Sequence, residues 1–474
     1  MLIRNISLNL LAKIFTSFSS ILFVPFYLSM LGQEDFGVIL FITTVVSIFS
    51  IFDFGLSQTF AREIGGSNFD KKMFAILETT IFIVLTLLFL FCILIIFFYS
   101  EQLEITFPEV FKFLVYAPFV IISQILFNFY TNANFMKKDQ TQPNLIAISH
   151  VVFRQGFILI PIFLLPRVDV FLIWYLGINI IFAFFSRELL KNHFNLYRKK
   201  FTLFDLKKFI QSRISIIMPL FLVSLINVAL TQFDKVFISV SNFEIFQHYT
   251  YGSLLASAIS ITSGAITLGF FSRIYEDQDL SDVKSSSENF YKIFFTLYLL
   301  ICPMALYMYF NSLDILSIWL RDPVLAQNSH PYFSFLILAN LAMLIQFPLY
   351  QILIAKGVPK YNLYFGLGCV GIILPTYYYL SSNGLFIEIA KFYLFLQSIL
   401  SISYSILCFR ILKLKINIIK LVIIPSSYIL LFALTYHLLN NFIKNDEYFL
   451  LYCVPVYILC FLSYLIYARR YYGF

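Results

Sequence analysis

Charge is what this chain has least of. Of its 474 residues 12% are Asp, Glu, Lys or Arg, five are histidine, two are tryptophan, and 60% are hydrophobic. A soluble domain must cover itself partly with polar groups, so this balance excludes one. The six cysteines (Cys92, Cys302, Cys369, Cys408, Cys453 and Cys460) lie in or beside apolar runs. None has zinc-ligand spacing and no pair sits in a polar loop, which excludes a disulfide framework and leaves them as small core residues. No catalytic triad and no metal-ligand cluster stands out along the chain.

What the chain has instead is length of apolar run. Stretches of about 20 apolar residues mark transmembrane helices, and their continuity, without alternation, excludes a barrel. Fourteen such helices are expected, near 6–30, 37–60, 73–99, 110–135, 144–165, 168–189, 214–240, 248–272, 290–310, 332–355, 361–381, 385–409, 421–439 and 448–468. They are called spans one to fourteen below. The first is too long for a signal peptide and is followed by no A-x-A-like site, so it reads as a retained span.

Basic residues set the orientation. With the N-terminus cytoplasmic, the inside segments carry 25 of the 33 Lys and Arg, and the outside segments carry four: Lys112, Arg167, Arg321 and Lys444. That asymmetry is a strong positive-inside signal and puts both termini in the cytoplasm. The net charge of +8 then sits against anionic lipid headgroups and calls for no nucleic-acid partner. No outside loop exceeds about twenty residues, which leaves no room for an extracellular catalytic domain. In the longest inside segment, Thr202 and Asp205 form a capping pair, and Leu203, Leu206, Phe209 and Ile210 share one face opposite Lys207, Lys208 and Gln211. This pattern predicts an amphipathic helix on the membrane surface.

The chain also repeats itself. ANFMKKDQTQPNL matches QILIAKGVPKYNL, with Pro143 opposite Pro359, and EDFGVILFITTVVS matches QHYTYGSLLASAIS, with Phe36 opposite Tyr249. Two nearly equal offsets imply parallel six-helix repeats, as in transporters that rock one lobe on another. The expected organisation is a lobe over 1–196, an interfacial linker over 197–213, a second lobe over 214–410, and helices thirteen and fourteen over 411–474.

Ionisable groups deep in a membrane are costly, about 2.5–3.5 kcal/mol each on insertion scales, and usually face a cavity or a partner. Span two carries Asp53 within a stripe of Thr43, Ser47, Ser50 and Ser57; span one carries Asn9, Lys13, Thr16 and Ser20. Lys13 and Asp53 lie at similar depth on consecutive helices, so they could pair. Span seven has Ser224, Asn227, Thr231 and Asp234 on one face with Lys235 beside it, and span eight has Ser253, Ser257, Ser260, Gly264 and Thr267. These stripes fit helices that line a hydrophilic cavity, or small residues that hold helices together. In span five, His150 and Arg154 are four residues apart and share a face. A guanidinium at that depth suits a phosphate or diphosphate, gripped bidentately, unless a carboxylate such as Glu78 neutralises it. His150 on its own reads more simply as a packed residue than as a proton relay.

The pattern LGxxxFG…DFGL…ARE over residues 31–63 resembles the N-terminal signature of polysaccharide-unit flippases, the O-antigen and capsule transporters of the MOP exporter superfamily. KKFIQSRISIIMPLF, TQFDKVFIS and KGVPKYN continue that resemblance over most of the first twelve spans. It implies two six-helix lobes in a V around a cationic cavity. It further implies a protein of the bacterial cytoplasmic (inner) membrane that moves undecaprenyl-diphosphate-linked oligosaccharide to the outer leaflet by alternating access. No cofactor is implied, coupling to protons or another ion is left open, and an O-antigen polymerase with its chain-length machinery are the protein partners to consider. Asp53, Gly55 and Arg62 match the DFGL…R motif and Asp234 matches the aspartate of span seven; Arg154 has no motif counterpart. Ile266 stands where the repeat of Asp53 would fall, so the lobes are chemically unequal.

Two other functions compete. A cation-coupled drug exporter of the same fold would want an acidic cavity, whereas Lys13, Arg154 and Lys235 tip this one positive. A membrane glycosyltransferase or O-antigen polymerase could use Glu34 and Asp35, but two carboxylates flanking a turn are usually only solvated.

Overall fold

The computed structural model describes residues 2–65, 71–135, 140–194, 203–276, 283–355 and 360–414, with isolated positions between 417 and 437. Among the described residues the chain is helical throughout and has no strand. Ten stretches of the described residues are long and apolar enough to cross a membrane. One of them, Leu11–Asp53, covers spans one and two, which Gly32 separates with φ 82° and ψ 171°. Only glycine adopts such a φ without cost, and a whole turn between two spans is compressed into that residue. The 34-residue helix Phe243–Glu276 occupies the position of span eight. Span fourteen and most of span thirteen lie outside the described residues.

Three expected elements take a different form. Span two does not run on to residue 60: it stops at Phe49, passes through a 3-10 turn at Ser50–Asp53, and restarts as Leu56–Gly65. Phe54 and Gly55 between them have φ of 51° and 73°. Span five is interrupted by a π-helical turn over Val152–Gly156. The amphipathic segment before span seven is not a separate helix from Leu203 onward, because Leu203–Ser241 is continuous through Pro219. Thr202, the proposed cap, lies outside the described residues.

By packing, the chain forms two units, Met1–Thr250 with Leu363–Phe386, and Tyr251–Asn362 with Ile387–Phe474. This partition differs from the division by sequence repeat, since spans seven and eleven pack with the first unit. In the first unit, Phe60 stacks on Phe129 at 4.4 Å. Nearby, Glu78 on span three accepts both Nε and Nη2 of Arg187 on span six, and the Tyr130 hydroxyl donates to Glu78 at 2.7 Å. In the second unit, Gly252 lets the Phe333 backbone pass: a Cβ there would meet its nitrogen at 2.9 Å. Ser260 donates to Asn340, and Gln346 donates to Ser401 at 2.8 Å, which donates in turn to the Ala342 carbonyl at 2.6 Å.

Candidate functional site

The break in span two explains the carboxylate at Asp53. Its Oδ1 accepts the Gly55 N–H at 2.7 Å and Oδ2 the Ser57 N–H at 3.4 Å. Asp53 therefore holds the turn at Gly55 and supplies one acceptor to the largely buried first turn of Leu56–Gly65, where N–H groups have no partner within the helix and the helix dipole favours a negative charge. The pairing with Lys13 is not formed: Lys13 is exposed on span one, and Asp53 is held by its own backbone. Asp53→Ala should cost about 1 kcal/mol, the usual loss of an N-cap. Asp53→Asn, which keeps one acceptor, should unfold thermally close to the wild type; equal losses for both variants would remove capping as the reason for the residue.

Around this cap the signature segments meet one another. Gly55, at positive φ, lies so close to span seven that a Cβ would be 3.0 Å from Leu220 Cβ and 3.4 Å from the Ile217 carbonyl. Phe54 packs on Phe221 at 4.9 Å. Two turns further on, Glu63 forms a forked ion pair with Arg213, with Nε–Oε1 at 2.9 Å and Nη2–Oε2 at 3.1 Å. Arg62 lies in the same helix, but its side chain is outside the described residues. The resemblance in sequence thus marks a structural joint between spans two and seven.

Asp234 is likewise a packing residue. It is buried at the end of span seven and accepts the hydroxyl of Tyr249 at 2.6 Å and the Lys235 N–H at 2.8 Å. Lys235 is half-buried beside it and forms no ion pair with it within 4.0 Å. The stripe hydroxyls mostly bond their own helix, as Thr16 to Lys13, Ser47 to Thr43 and Thr231 to Asn227. Lys13, Ser47, Asn227 and Thr231 are nonetheless exposed, a polar face inside spans one, two and seven.

Span five behaves differently. Within the π-helical turn the Phe157 N–H reaches back to the Val152 carbonyl at 3.0 Å. The Phe153 carbonyl accepts Trp174 Nε1 at 2.9 Å. Such turns often mark functional positions, because one inserted residue re-aims a side chain without ending the helix. Here the re-aimed residue is Arg154. Its Nη1 donates to Gln124 Oε1 and to the Tyr175 hydroxyl, each at 3.2 Å, and its guanidinium lies 4.8 Å from the Tyr175 ring centre. Tyr175 and Asn179 also donate to Gln124 Oε1, at 3.0 and 3.3 Å, and Gln124 donates to Asn128 at 2.9 Å.

Every direct partner of Arg154 is neutral. Glu78 is paired with Arg187, and among the described residues no carboxylate lies within ion-pair distance of Arg154. Its Nε is buried with no acceptor, and Nη2 has none among the described residues. The edge without a protein acceptor is therefore the Nε/Nη2 pair, the edge by which a guanidinium grips a carboxylate or phosphate side-on with two parallel hydrogen bonds, and its Nε is covered in this state. His150 faces the same two helices but is 2% exposed, stacks on Phe127 at 3.8 Å and shares a 2.8 Å hydrogen bond with Asn179. It is a packed residue that braces Asn179. Gln124, Tyr175 and Asn179 were not singled out from sequence. The signal was available in the four-residue spacings of Gln124 with Asn128 and of Tyr175 with Asn179.

A polysaccharide biosynthesis protein family model matches residues 2–242, half of the chain, and a MatE family model matches residues 281–379. The chain belongs to the polysaccharide biosynthesis protein family. No curated protein matches significantly. Among solved structures this family member is similar to lipid II flippase MurJ in its inward closed conformation, with TM-score 0.77 and 15% identity over 98% of both chains. It is similar to the Vibrio cholerae MATE transporter VcmN, with TM-score 0.59 and 13% identity over 87% of this chain and 97% of that one. It is also similar to a Pyrococcus furiosus MOP superfamily transporter with a binding pocket of reverse polarity, with TM-score 0.53 and 14% identity over 87% and 96%. At these identities the likeness establishes a MurJ/MATE-like fold. With the apolar helices described above, it makes the protein a multi-pass membrane protein of that fold.

Proposed function

We propose that the protein flips polyprenyl-diphosphate-linked oligosaccharide repeat units, of O-antigen or capsule, from the cytoplasmic to the outer leaflet of a bacterial inner membrane. The polar head group crosses through the protein by alternating access, with residues 1–196 and 214–410 as the transport lobes and both termini in the cytoplasm. The observation that carries this reading is Arg154: a permanent cation with only neutral direct partners and a bidentate edge that no protein acceptor satisfies. A diphosphate supplies the anion that site lacks. The polyprenyl tail stays in lipid, because hydrating it would cost about 0.8 kcal/mol per CH₂. Flipping breaks no covalent bond and needs no catalytic residue.

The MatE match over residues 281–379 favours one rival, export of organic cations. Proteoliposomes separate the two. A fluorescently tagged polyprenyl-diphosphate oligosaccharide should become accessible to an outside quencher at least tenfold faster with the protein than without it, while ethidium efflux stays at background. Ethidium transport without lipid flipping would transfer the assignment to drug export.

A further inference from the structure

The first unit carries a second polar site, at the end opposite its basic loops. The starts of spans two, four and six, with the segments leading into them, line a cavity of about 310 Å³. Its lining includes Asp35 just before span two, Lys112, Phe113 and Tyr116 at the start of span four, and Arg167 and Asp169 at the start of span six. Two of the four basic residues expected on that side of the membrane thus converge on one pocket. Arg167 holds Asp169 in a forked pair, with Nε–Oδ1 at 3.0 Å and Nη2–Oδ2 at 2.7 Å. Lys112 lies 4.8 Å from the Phe113 ring centre. Among the described residues neither Lys112 nor Asp35 has an ion pair within 4.0 Å, so opposite charges line the same hollow without meeting.

We infer that this pocket binds sugar rings and receives the glycan on the outer side; the inference rests on the transport reading above. A bare anion is a poor fit, since two cations face two carboxylates and leave no net field. Carbohydrate hydroxyls donate and accept together, and so use both signs at once: Asp35 and Asp169 accept hydrogen bonds from them, and Lys112 and Arg167 donate to their oxygens. The C–H face of a pyranose is apolar and lies flat on an aromatic ring, the surface that half-buried Phe113 and Tyr116 provide. The volume is at the lower end of small-ligand sites, roughly 300–1,000 Å³, which suits one or two sugars and excludes a whole repeat unit. The contacts are shallow and mixed, as a release site requires: grip there must stay weak enough for the next unit to displace the last.

The test uses the full-length protein in nanodiscs and the repeat oligosaccharide released by mild acid from the surface polysaccharide of the producing strain, free of lipid and diphosphate. Saturation-transfer NMR should give sugar signals with wild type, and Tyr116→Ala and Asp35→Asn should each reduce them at least tenfold. Both variants should retain the wild-type melting temperature, and Arg154→Ala should retain the signals. Signals that are absent from wild type or unchanged in both pocket variants would overturn the pocket and leave the transport reading standing. Pocket-dependent binding in a protein that fails the flipping assay would do the reverse. Displacement of the oligosaccharide by inorganic diphosphate would make this an anion site and overturn the sugar assignment.

Discussion

Arg154→Ala is expected to abolish surface polysaccharide while the protein remains in the membrane at its normal amount. A charge-assisted bidentate contact to a phosphate is worth about 1.5–3 kcal/mol per hydrogen bond, so two such bonds correspond to a loss of two to four orders of magnitude. Stability should not follow. Tyr175 and Asn179 keep their bonds to Gln124 when the guanidinium is gone, so no buried acceptor is orphaned. The substitution also removes a buried donor that has no partner. Melting temperature in detergent should be equal to wild type or slightly higher, and the combination of lost transport with retained stability is the signature of a ligand-binding residue. Normal surface polysaccharide in this variant would refute the role assigned to Arg154.

Arg154→Lys separates geometry from charge. A lysine ammonium is a point charge and cannot present the parallel Nε/Nη2 edge, so transport should recover only in part, to roughly a tenth of wild type. Full recovery would mean that positive charge alone suffices. His150→Ala should show the opposite profile. It empties the space between Phe127 and Phe182 and leaves Asn179 without its 2.8 Å partner, so it should lower thermal stability more than transport per folded molecule.

The membrane class and the boundaries of most spans were legible because apolar length and basic-loop asymmetry are properties of the chain alone. The place of Arg154 near the middle of the apolar stretch Thr141–Leu164 was legible for the same reason. Its partners were not, because they come from spans four and six, and a single helix periodicity does not say which neighbours it will meet. Asp53 shows how a sequence stripe misleads. Its spacing from Ser50 and Ser57 looked like one polar helical face, but the helix ends before it, and the residue serves the turn that Phe54 and Gly55 make possible. That turn was signalled by glycine after a short acid, a stop pattern that the surrounding hydrophobicity masked. The inequality of the halves was visible at Ile266 and is sharper in three dimensions. Gln124 and Asn179 have amide counterparts at Asn340 and Gln397, 216 and 218 residues on. Those counterparts also sit in polar networks, with Ser260 and Gln346, and among the described residues those networks hold no cation. Among the described residues these two networks thus keep the polar scaffold without the charge.

Glu78→Ala should be the most destabilising substitution in the first unit. Glu78 accepts two guanidinium donors from Arg187 and the Tyr130 hydroxyl, and it joins spans three, four and six. Its removal leaves the Tyr130 phenol without its acceptor, and Arg187 with only a long 3.5 Å contact from Nη1 to Glu188, beside Thr131, Asn134 and Ser186, which are already bonded to each other or to the helix backbones. Breaking a buried pair from one side costs about 3–5 kcal/mol, and the side chain of Arg187 is 26% exposed, so a value near 3 kcal/mol is expected. The double exchange Glu78→Arg with Arg187→Glu should recover only part of that, because Tyr130 is placed to donate to a carboxylate at position 78 and would face a guanidinium there. Wild-type stability in Glu78→Ala would show that Arg187 is satisfied by water and that the pair holds nothing together. The loss should also reach transport, but more weakly than Arg154→Ala does. Asn179 and Tyr175 lie two to three turns further along the helix that carries Arg187, about 12–18 Å away. A loosened span six therefore blurs the placement of the Arg154 edge without removing it.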